Sequence, residues 1–587
     1  MSPTRPVPPL PQATREALDA VITTRRDIRS DFTMDPIDDA ALTRILSAAH
    51  RAPSVGLSQP WDFVLVRDED RRRRVQALAA EQRDAYAASL PGGRARRFDG
   101  LKVEAILSTP LNIVVTCDPT RGGPYTLGRH ADPRMAPFSV ATAVENLWLA
   151  ARAEGIGVGW VSFFDPDALR AVLELPGHLQ VVAYLCVGHV RAFPEAPELA
   201  LTGWARRRPL SWAVHHEKWG ARGLPGGVPM MLVDETVAAI QPVDEAARAR
   251  SDEHQLTLTK PAGSLGELET IAGRLAAMAG EFPPPIPEPA ALAVFCGDHG
   301  VHAQGVSPWP QEVTTQMVHN VLAGGAMTSV LARQVGAEVA VVDVGVAAVG
   351  VAADLPDAPG LMRRKVAPGT ADMTQGPAMT PDQCRQAIDV GIDVARDLVA
   401  QGNRLLATGD LGIANTTASA ALVSVFTGAP AEQVTGRGTG IDDEMLARKI
   451  EVVDRAVTVN GADRADALHA LAAVGGLEHA ALVGFLLGAA ALRTPVVLDG
   501  VIAASAGLAA AALAPQAVDY WFAGHVSAEP ASRLAVAELG LRPLLDLGMR
   551  LGEGSGAVLA VPVIQAAARV VHEGATFESA GVAGRDE

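Results

Sequence analysis

The hydrophobic residues of this chain fall into short apolar runs, separated by stretches in which apolar residues recur at helical spacing. Before residue 220, four runs rich in β-branched residues predict strands at 61–66, 111–116, 157–164 and 181–190. Residues 140–151 carry apolar side chains every three or four positions, and Gly155 predicts the end of that helix. Apolar and polar residues alternate little along these strands, so we predict an α+β unit whose sheet is buried on both faces.

After residue 240 strands and helices alternate more regularly. Five apolar runs predict strands at 292–296, 339–342, 405–407, 496–498 and 520–522. Residues 380–383 predict a helix start, because they combine a capping threonine, a first-turn proline and a third-position glutamine. Gly402 predicts the end of that helix. The alternation predicts a doubly wound parallel α/β sheet, with a smaller helical subdomain beside it.

Each predicted strand of this second part is followed by acidic, glycine or histidine residues. The turns lie at 297–300, 343–345, 409–412, 499–500 and 524–525. Ligands of open α/β sheets bind beyond the carboxyl ends of the strands. A tight bend or a helix cap explains any one of these turns better than a ligand site does. Five in succession favour a polar active-site crevice.

Charge and composition divide the chain in two. The 587 residues carry a formal net charge of -16, yet residues 1–220 hold 27 basic and 25 acidic residues, whereas the remainder holds 23 and 41. Residues 220–229 are rich in glycine and proline, as linkers are. We therefore predict domains at residues 1–222 and 237–587, joined by a linker at residues 223–236.

Composition also narrows the class of protein. The low pI argues against a general nucleic-acid binder, and four widely spaced cysteines argue against a disulfide scaffold or a zinc site, so no metal is expected. Residues 1–12 lack the apolar segment of a secretory signal. The longest uncharged apolar run, residues 501–514, is shorter than the roughly 20 residues of a membrane span. The expectation is a cytoplasmic protein without membrane or nucleic-acid partners.

Three segments of the first part carry candidate chemistry. Residues 24–29 place three guanidinium groups around Asp27, which suits a phosphate held by forked hydrogen bonds, although such a string by itself is more often a solvated basic face. Residues 52–61 are a loop of small and polar residues. Residues 155–162 form a glycine-rich strand that ends in Ser162. These segments suit close approach to a flat, heteroatom-rich ligand.

This first part resembles 5,6-dimethylbenzimidazole synthase, in the flavin nitroreductase-like family. The resemblance rests on RRDIR at 25–29, on APSVG and SQPW within 52–61, on the segment 146–162 and on the late Arg207, and it covers nearly all of residues 15–220. It implies a nitroreductase-like fold. It also implies that reduced FMN is consumed with O2, giving dimethylbenzimidazole and erythrose 4-phosphate.

The same resemblance implies roles for individual residues. Asp27 and Ser162 are expected beside the flavin ring, where they transfer protons. Without the family, a strand-end serine bonded to backbone is an equally good interpretation of Ser162. The residues expected to contact FMN are Arg25, Arg26, Arg29, Ser54, Gln59 and Arg207. No dinucleotide fingerprint is present, so NAD(P)H acts directly at the flavin or a separate reductase supplies the electrons.

The second part has its own candidate site residues. Residues 294–317 combine an acid–histidine turn, an aromatic loop and a glutamine, which suits a flat heteroaromatic molecule. Residues 409–417 place glycines and hydroxyls before a helix, a good seat for phosphate. Lys449 is within reach of such a phosphate, although a solvated lysine is the plainer interpretation. Glu553 lies between glycines in LGEGSGA, where burial would raise the pKa of a general base.

These segments resemble nicotinate-nucleotide–dimethylbenzimidazole phosphoribosyltransferases over residues 240–580, with the motifs GDHGV, VTTQMV, GDLGIANTT, GRGTGIDD and LGEGSGA. The resemblance implies transfer of phosphoribosyl from nicotinate mononucleotide to dimethylbenzimidazole, with Glu553 as the base. The family often has glutamate at Asp410 and tyrosine at Trp309. The implied substrate contacts are Trp309, Gln316, Asp410, Asn415, Thr416, Thr417, Lys449 and Ser527.

Together the two resemblances predict a bifunctional enzyme, because the product of the first reaction is a substrate of the second. Two alternatives stay open. One is an ordinary FMN nitroreductase fused to a transferase for another base, and the other is a flavin-binding scaffold without catalysis. Both families imply a homodimer or a larger homo-oligomer.

Overall fold

The computed structural model describes residues 7–217, 219, 222–226, 231–347 and 355–583. The chain forms two compact units, one of residues 1–90 and 94–205, the other of residues 91–93 and 206–587. The second unit therefore includes residues 206–222, which the sequence pattern assigned to the first domain. Of the predicted linker, residues 227–230 lie outside the described part, and the domain limits stay a prediction.

The first unit is built on a four-stranded antiparallel sheet of order β1-β2-β4-β3. Its strands are β1 (Trp61–Val66), β2 (Leu111–Cys117), β3 (Ile156–Val161) and β4 (Gln180–His189). The helices up to residue 205 are α1 (Gln12–Thr24), α2 (Asp39–His50), α3 (Glu69–Ser89), α4 (Gly92–Asp99), α5 (Met135–Ala153), α6 (Pro166–Val172) and α7 (Glu198–Leu201).

The predicted strands and the predicted helix of this unit are confirmed, with two corrections. Strand β3 ends at Val161, not residue 164, because the Asp165 side chain accepts the N–H groups of Asp167 and Ala168 and starts α6. Burial on both faces holds for β2 but not for the edge strand β1, where Asp62 is exposed.

The glycines of β3 allow a neighbouring backbone segment to pack directly on the strand. Asp27 pairs with Val158, and the Ile28 N–H donates to the Val158 carbonyl at 3.0 Å. A Cβ at Gly159 would lie 2.1 Å from the Ile28 carbonyl oxygen. The sequence therefore needs glycine here so that the segment carrying Asp27 can lie directly on the strand.

Gly159→Ala is expected to destabilise the chain by roughly 1–3 kcal/mol, since the neighbouring atom is backbone and cannot rotate away. Urea unfolding of the full chain measures the change. Gly177→Ala is the matched control, because no atom lies within 4 Å of a Cβ there. Equal midpoints for the two variants would contradict the packing role of Gly159.

The second unit contains a seven-stranded parallel sheet of order β11-β10-β9-β8-β5-β6-β7. Its strands are β5 (Ala290–Gly297), β6 (Glu338–Gly345), β7 (Leu361–Arg363), β8 (Leu405–Leu411), β9 (Val496–Leu498), β10 (Trp521–His525) and β11 (Pro543–Leu545). Its first helices are α8 (Leu232–Ala239), α9 (Glu245–Thr257), α10 (Glu267–Ala279), α11 (Val313–Leu322), α12 (Met327–Val335), α13 (Pro381–Ala400), α14 (Asn415–Thr427) and α15 (Ala431–Val434). The remaining helices are α16 (Asp443–Asn460), α17 (Ala467–Val474), α18 (Leu477–Ala491), α19 (Val501–Leu513), α20 (Pro530–Glu538), α21 (Ser555–Glu573) and α22 (Phe577–Ala580).

The predicted parallel sheet is confirmed, and all five predicted strands are present. The sequence pattern did not indicate β7 and β11, which are three-residue strands at the two edges of the sheet. Helix α13 starts at the predicted capping box of Thr380 and Gln383.

Helix α18 is buried from Leu477 to Ala490, which explains why it is apolar all round. It crosses α13 at close range. A Cβ at Gly484 would lie 1.9 Å from the Ile388 carbonyl oxygen, and one at Gly391 would lie 1.8 Å from that of Ala481. Glycines on both helices therefore set this crossing.

Helix α21 is the single helix among the described residues that is long and apolar enough to cross a membrane. More than half of its most apolar window is buried inside the unit, through residues such as Val558, Val561 and Ile564. A buried core helix meets the same criteria of length and apolar composition as a membrane span, so α21 is weak evidence for one.

Residues 206, 212 and 222 contact α13 within the second unit. The Arg206 N–H donates to the Ala400 carbonyl at 2.8 Å, and the buried Arg222 pairs with Asp393 at 2.6 Å. The Arg396 guanidinium lies 4.4 Å from the ring centre of Trp212.

Candidate functional site

The five predicted turns of the second unit lie at one edge of its sheet. Residues 343–345 and 524–525 are the last residues of β6 and β10, residues 297 and 409–411 are the last of β5 and β8, and residues 499–500 follow β9. These are five neighbouring strands in parallel orientation. Their carboxyl ends therefore face the same side, and the acidic residues of the turns are close enough to influence one another.

Glu553 occupies a strained turn at this edge. Its φ is +62°, and Gly552 and Gly554 on either side also have positive φ values. The residue is 6% exposed, and its Oε2 has no hydrogen-bond partner within the described part of the chain. Burial raises the pKa of the Glu553 carboxyl. A hydrogen bond from the Thr328 backbone lowers the pKa by a smaller amount, and the nearby charge of Asp499 raises it again. A buried carboxylate with an open oxygen is well suited to accept a proton.

Asp499 holds the Glu553 turn in place. Its carboxylate accepts the N–H groups of Gly556 at 2.8 Å, Ala557 at 3.0 Å and Gly554 at 3.2 Å. These contacts fix the start of α21 immediately after Glu553. The sequence pattern marked the turn at 499–500 but did not assign Asp499 to the site.

Asp410 lies at the end of β8, near the same turn. Its Oδ2 accepts a hydrogen bond from the Asn415 side-chain amide at 2.6 Å. Burial raises the pKa of the Asp410 carboxyl well above its usual range, and the charges of Asp499, Glu478 and Glu553 act in the same direction. Asp410 and Asn415 are therefore a hydrogen-bonded pair in an acidic, water-poor environment.

Lys449 lies beside the N-terminus of α14, where the sequence pattern predicts a phosphate-binding site. Its ammonium donates to the Thr416 hydroxyl at 2.8 Å and to the Gly436 carbonyl at 3.3 Å. Helix α14 has no side-chain cap, so backbone N–H groups of its first turn stay available to an anion. Lys449 is buried, which contradicts the plainer interpretation of a solvated surface lysine.

Burial lowers the pKa of Lys449 to about 8, and the charge of Glu529 offsets part of that shift. Glu529 is itself buried and accepts the Gly438 N–H at 2.8 Å. The sequence pattern did not indicate Glu529, because no motif in its neighbourhood marks an acidic residue as part of a site.

Lys449→Met is expected to raise the KM for nicotinate mononucleotide, the substrate that the resemblance implies, by about 10–100-fold, the size of a lost hydrogen bond to a charged group. Steady-state kinetics with the base held saturating measures the change. In the parent chain KM is expected to rise as the pH increases through about 8, because the ammonium then loses its charge. A pH-independent KM in the parent chain would contradict this role.

The other predicted substrate contacts of the second unit differ from one another in burial. Ser527 is buried next to this edge, and a Cβ at Gly500 would lie 3.5 Å from the Ser527 Cβ. Thr417 is buried in α14. Trp309 is 49% exposed and Gln316 is exposed on α11, so these two side chains do not enclose a site for a flat heteroaromatic molecule in this structure. Their contact with substrate stays a prediction.

A group of buried side chains near this edge comes from distant parts of the sequence. His299 follows β5, while Glu478 and His479 lie in the first turn of α18. The Glu478 Oε1 is 2.7 Å from the Nε2 of His299 and 2.7 Å from the Nδ1 of His479. Sequence analysis, which expected no metal, had no signal for this cluster because its members are far apart in the chain.

In the first unit, Asp27 is held between a strand and an arginine. Its Oδ1 accepts the Trp160 N–H at 3.0 Å, and its Oδ2 accepts a hydrogen bond from the Arg29 guanidinium at 2.7 Å. Ser162 lies two residues beyond Trp160, just after β3, and is exposed. Asp27 and Ser162 therefore lie at the same end of β3.

The three predicted phosphate-binding arginines differ in their surroundings. Arg26 donates to the backbone carbonyls of Pro194 at 3.0 Å and Glu195 at 2.6 Å, so it ties two chain segments together. The Arg25 guanidinium lies 4.9 Å from the ring centre of Trp148 and 3.5 Å from Glu145. Arg25 and Arg29 are half-buried cations, which suits an anionic ligand better than the backbone-bound Arg26 does.

The loop at 52–61 is strained. Ser54 accepts the Gln59 N–H at 3.0 Å, and Gly56, Leu57 and Gln59 have positive φ values. The Gln59 side chain donates to the His50 carbonyl at 3.3 Å. Arg207 is exposed and belongs to the second unit. The flavin contacts of Ser54, Gln59 and Arg207 stay predictions.

Within its described residues, the second unit thus combines a buried carboxylate that has an unpaired oxygen with a helix start that has no side-chain cap. A family model described as Phosphoribosyltransferase matches residues 240–582, and one described as Nitroreductase family matches residues 22–189. The chain therefore belongs to the phosphoribosyltransferase family, with a nitroreductase-family part fused before it.

Relatives support this assignment. The nicotinate-nucleotide–dimethylbenzimidazole phosphoribosyltransferase of Salinispora tropica is 57% identical over 60% of this chain and all of its own length. That of Chloroflexus aggregans is 53% identical over 61% of this chain and all of its own length. The crystal structure of CobT from Thermus thermophilus is 47% identical, with a TM-score of 0.55, and covers 58% of this chain and 100% of its own.

Proposed function

We propose that the chain is a bifunctional enzyme that makes 5,6-dimethylbenzimidazole and then converts it to α-ribazole 5′-phosphate. The second reaction transfers phosphoribosyl from nicotinate mononucleotide and releases nicotinate. The observation that carries this half is Glu553, a buried carboxylate with one oxygen unpaired within the described residues, in a turn held by Asp499. The names of the relatives agree with it.

In the transfer, Glu553 takes the N–H proton of the benzimidazole while the other ring nitrogen attacks C1′ of the ribose. Nicotinate leaves with the electrons of the broken C–N bond, and the configuration at C1′ inverts from β to α. The raised pKa makes Glu553 a stronger base than an exposed glutamate. A pyridinium is a good leaving group, so alignment and proton removal suffice for the step.

The phosphate of the nucleotide is proposed to bind at the start of α14, with Lys449 and Thr416. The helix N-terminus and the buried ammonium both favour an anion. Burial and the neighbouring carboxylates raise the pKa of Asp410, which favours its protonated form, and in that form Asp410 can donate a hydrogen bond to a ribose oxygen.

In the first unit, reduced FMN and O2 are the proposed substrates. Arg25 and Arg29 fit the phosphate end, because both are half-buried guanidinium groups without a full set of carboxylate partners among the described residues. Asp27 is held rigidly by Trp160 and Arg29, so it is positioned to move a proton at the flavin ring. Ser162, at the same end of β3, supplies a hydroxyl for the same purpose.

One assay tests the two halves separately. The full chain receives reduced FMN, O2 and nicotinate mononucleotide, and α-ribazole 5′-phosphate is sought by mass spectrometry. A second reaction replaces the flavin with added dimethylbenzimidazole, and a third omits the nucleotide and follows flavin absorbance.

Product in the first two reactions, with loss of flavin absorbance in the third, supports both activities. Product only from added base supports the transferase alone. Flavin that is recycled rather than consumed would identify an ordinary nitroreductase, and flavin that binds without any reaction would identify a scaffold. Transfer to other bases but not to dimethylbenzimidazole would overturn the second half.

A further inference from the structure

Two histidines and a glutamate form a buried cluster that neither proposed reaction uses. His299 comes from the turn after β5, and Glu478 and His479 come from the first turn of α18. Their side chains are 1% exposed or less. Burying three ionisable groups is costly unless they are paired, hydrogen-bonded or bound to a metal.

The contacts inside the cluster are short but are not directed hydrogen bonds. The Nε2 of His299 and the Nδ1 of His479 both lie 2.7 Å from the Glu478 Oε1. Within the described ranges, none of these nitrogens nor either Glu478 oxygen has a hydrogen-bond partner. The oxygen therefore lies to the side of each ring N–H direction. Donor atoms of one metal ion likewise point at a common centre rather than at one another.

Two glycines lie directly against the Glu478 carboxylate. A Cβ at Gly476 would lie 2.5 and 2.7 Å from the two Glu478 oxygens and 2.4 Å from the His299 ring. A Cβ at Gly297 would lie 2.9 Å from the Glu478 Oε2. Glycine at both positions therefore lets the three side chains come together, since a larger residue would collide with them.

A second contact orients one of the imidazoles. The Ser419 hydroxyl lies 2.9 Å from the Nε2 of His479, the ring nitrogen that faces away from Glu478. An outer hydrogen bond of this kind fixes the ring orientation and tautomer of a metal-binding histidine. Asp298, next to His299, is also buried and adds to the acidic surroundings.

We propose that His299, Glu478 and His479 bind one divalent transition-metal ion, with zinc as the best match. Two imidazole nitrogens and one carboxylate form a ligand set that zinc takes in proteins. The ion would join the end of β5 to the start of α18. Its role is structural and is independent of the proposed reactions.

The test uses the full-length chain without an affinity tag. Because the site is closed, the chain is unfolded and refolded in parallel with ZnCl2 or with EDTA, then freed of unbound metal by gel filtration. Elemental analysis is expected to find one zinc ion per chain after the zinc treatment. The zinc form is expected to unfold at a higher temperature than the EDTA form. Refolding with CoCl2 is expected to give the visible absorption of four-coordinate cobalt(II).

Variants separate this site from adventitious binding. Glu478→Gln and His479→Gln are expected to lose stoichiometric zinc, and Ser419→Ala to bind it about 10–100-fold more weakly. His469→Gln, which removes an exposed imidazole, is the matched control and is expected to keep the zinc. If the two ligand variants do not fold, the parent chain's zinc content and cobalt spectrum decide. Substoichiometric zinc in the parent chain, or full zinc in both ligand variants, would show that the cluster is an ion pair and overturn the proposal.

Discussion

Glu553→Gln is expected to lower the turnover of phosphoribosyl transfer by about two to four orders of magnitude, while binding of dimethylbenzimidazole stays nearly unchanged. Glutamine keeps the shape of the side chain but cannot accept the proton. Steady-state kinetics gives kcat, and titration of the base gives its affinity. Glu538→Gln, an exposed change of the same kind on α20, is the control and is expected to keep full activity.

The pH dependence provides a second measure of the same residue. Burial raises the pKa of Glu553, so the base loses its charge at a higher pH than an exposed glutamate would. We expect kcat to fall as the pH decreases through that raised pKa, and the Gln variant to lack this limb. If Gln is tolerated and Ala loosens the turn, Glu553 is a structural residue and the transferase needs another base.

Asp27→Asn is expected to keep FMN binding but to lose dimethylbenzimidazole formation by about a hundredfold or more. The asparagine oxygen can still accept the Trp160 N–H, so the segment is expected to stay on β3. What is lost is the ionisable carboxylate and its pairing with Arg29. Flavin binding is measured by fluorescence quenching, and the product by chromatography.

The control for this variant is Asp19→Asn, an exposed aspartate on α1. It is expected to leave both flavin binding and product yield unchanged. A normal yield from Asp27→Asn would remove Asp27 from the reaction. Loss of flavin binding along with the product would instead assign Asp27 to binding, through its effect on Arg29.

Local sequence signals predicted much of the fold. The capping box at Thr380 and the apolar run at 496–498 depend on neighbouring residues, and both are present where expected. The strand end predicted beyond Val161 was wrong because the Asp165 cap, a side-chain hydrogen bond, overrode the apolar run of residues 163–164. The edge strands β7 and β11 were missed because three residues are too few to show a periodicity.

The candidate site could be predicted only in part. Glu553 was marked by its flanking glycines and Asp410 by the glycine-rich turn predicted at 409–412, patterns visible in the chain itself. Asp499 was visible as a turn residue, but its role depends on reaching backbone N–H groups more than fifty positions away. The sequence indicated that Lys449 lies on a helix, whereas its burial beside Thr416 follows from the packing of that helix.

The sequence by itself determined the two-part organisation, the parallel sheet and the placing of acidic and glycine residues after its strands. These depend on periodicity, on turn chemistry and on charge, which are properties of neighbouring residues. Only the tertiary structure decided which side chains meet. It joined His299 to Glu478 and His479, placed Asp27 on β3 and buried Lys449. Contacts between distant segments depend on how helices and sheet pack, and no local pattern in the chain records that packing.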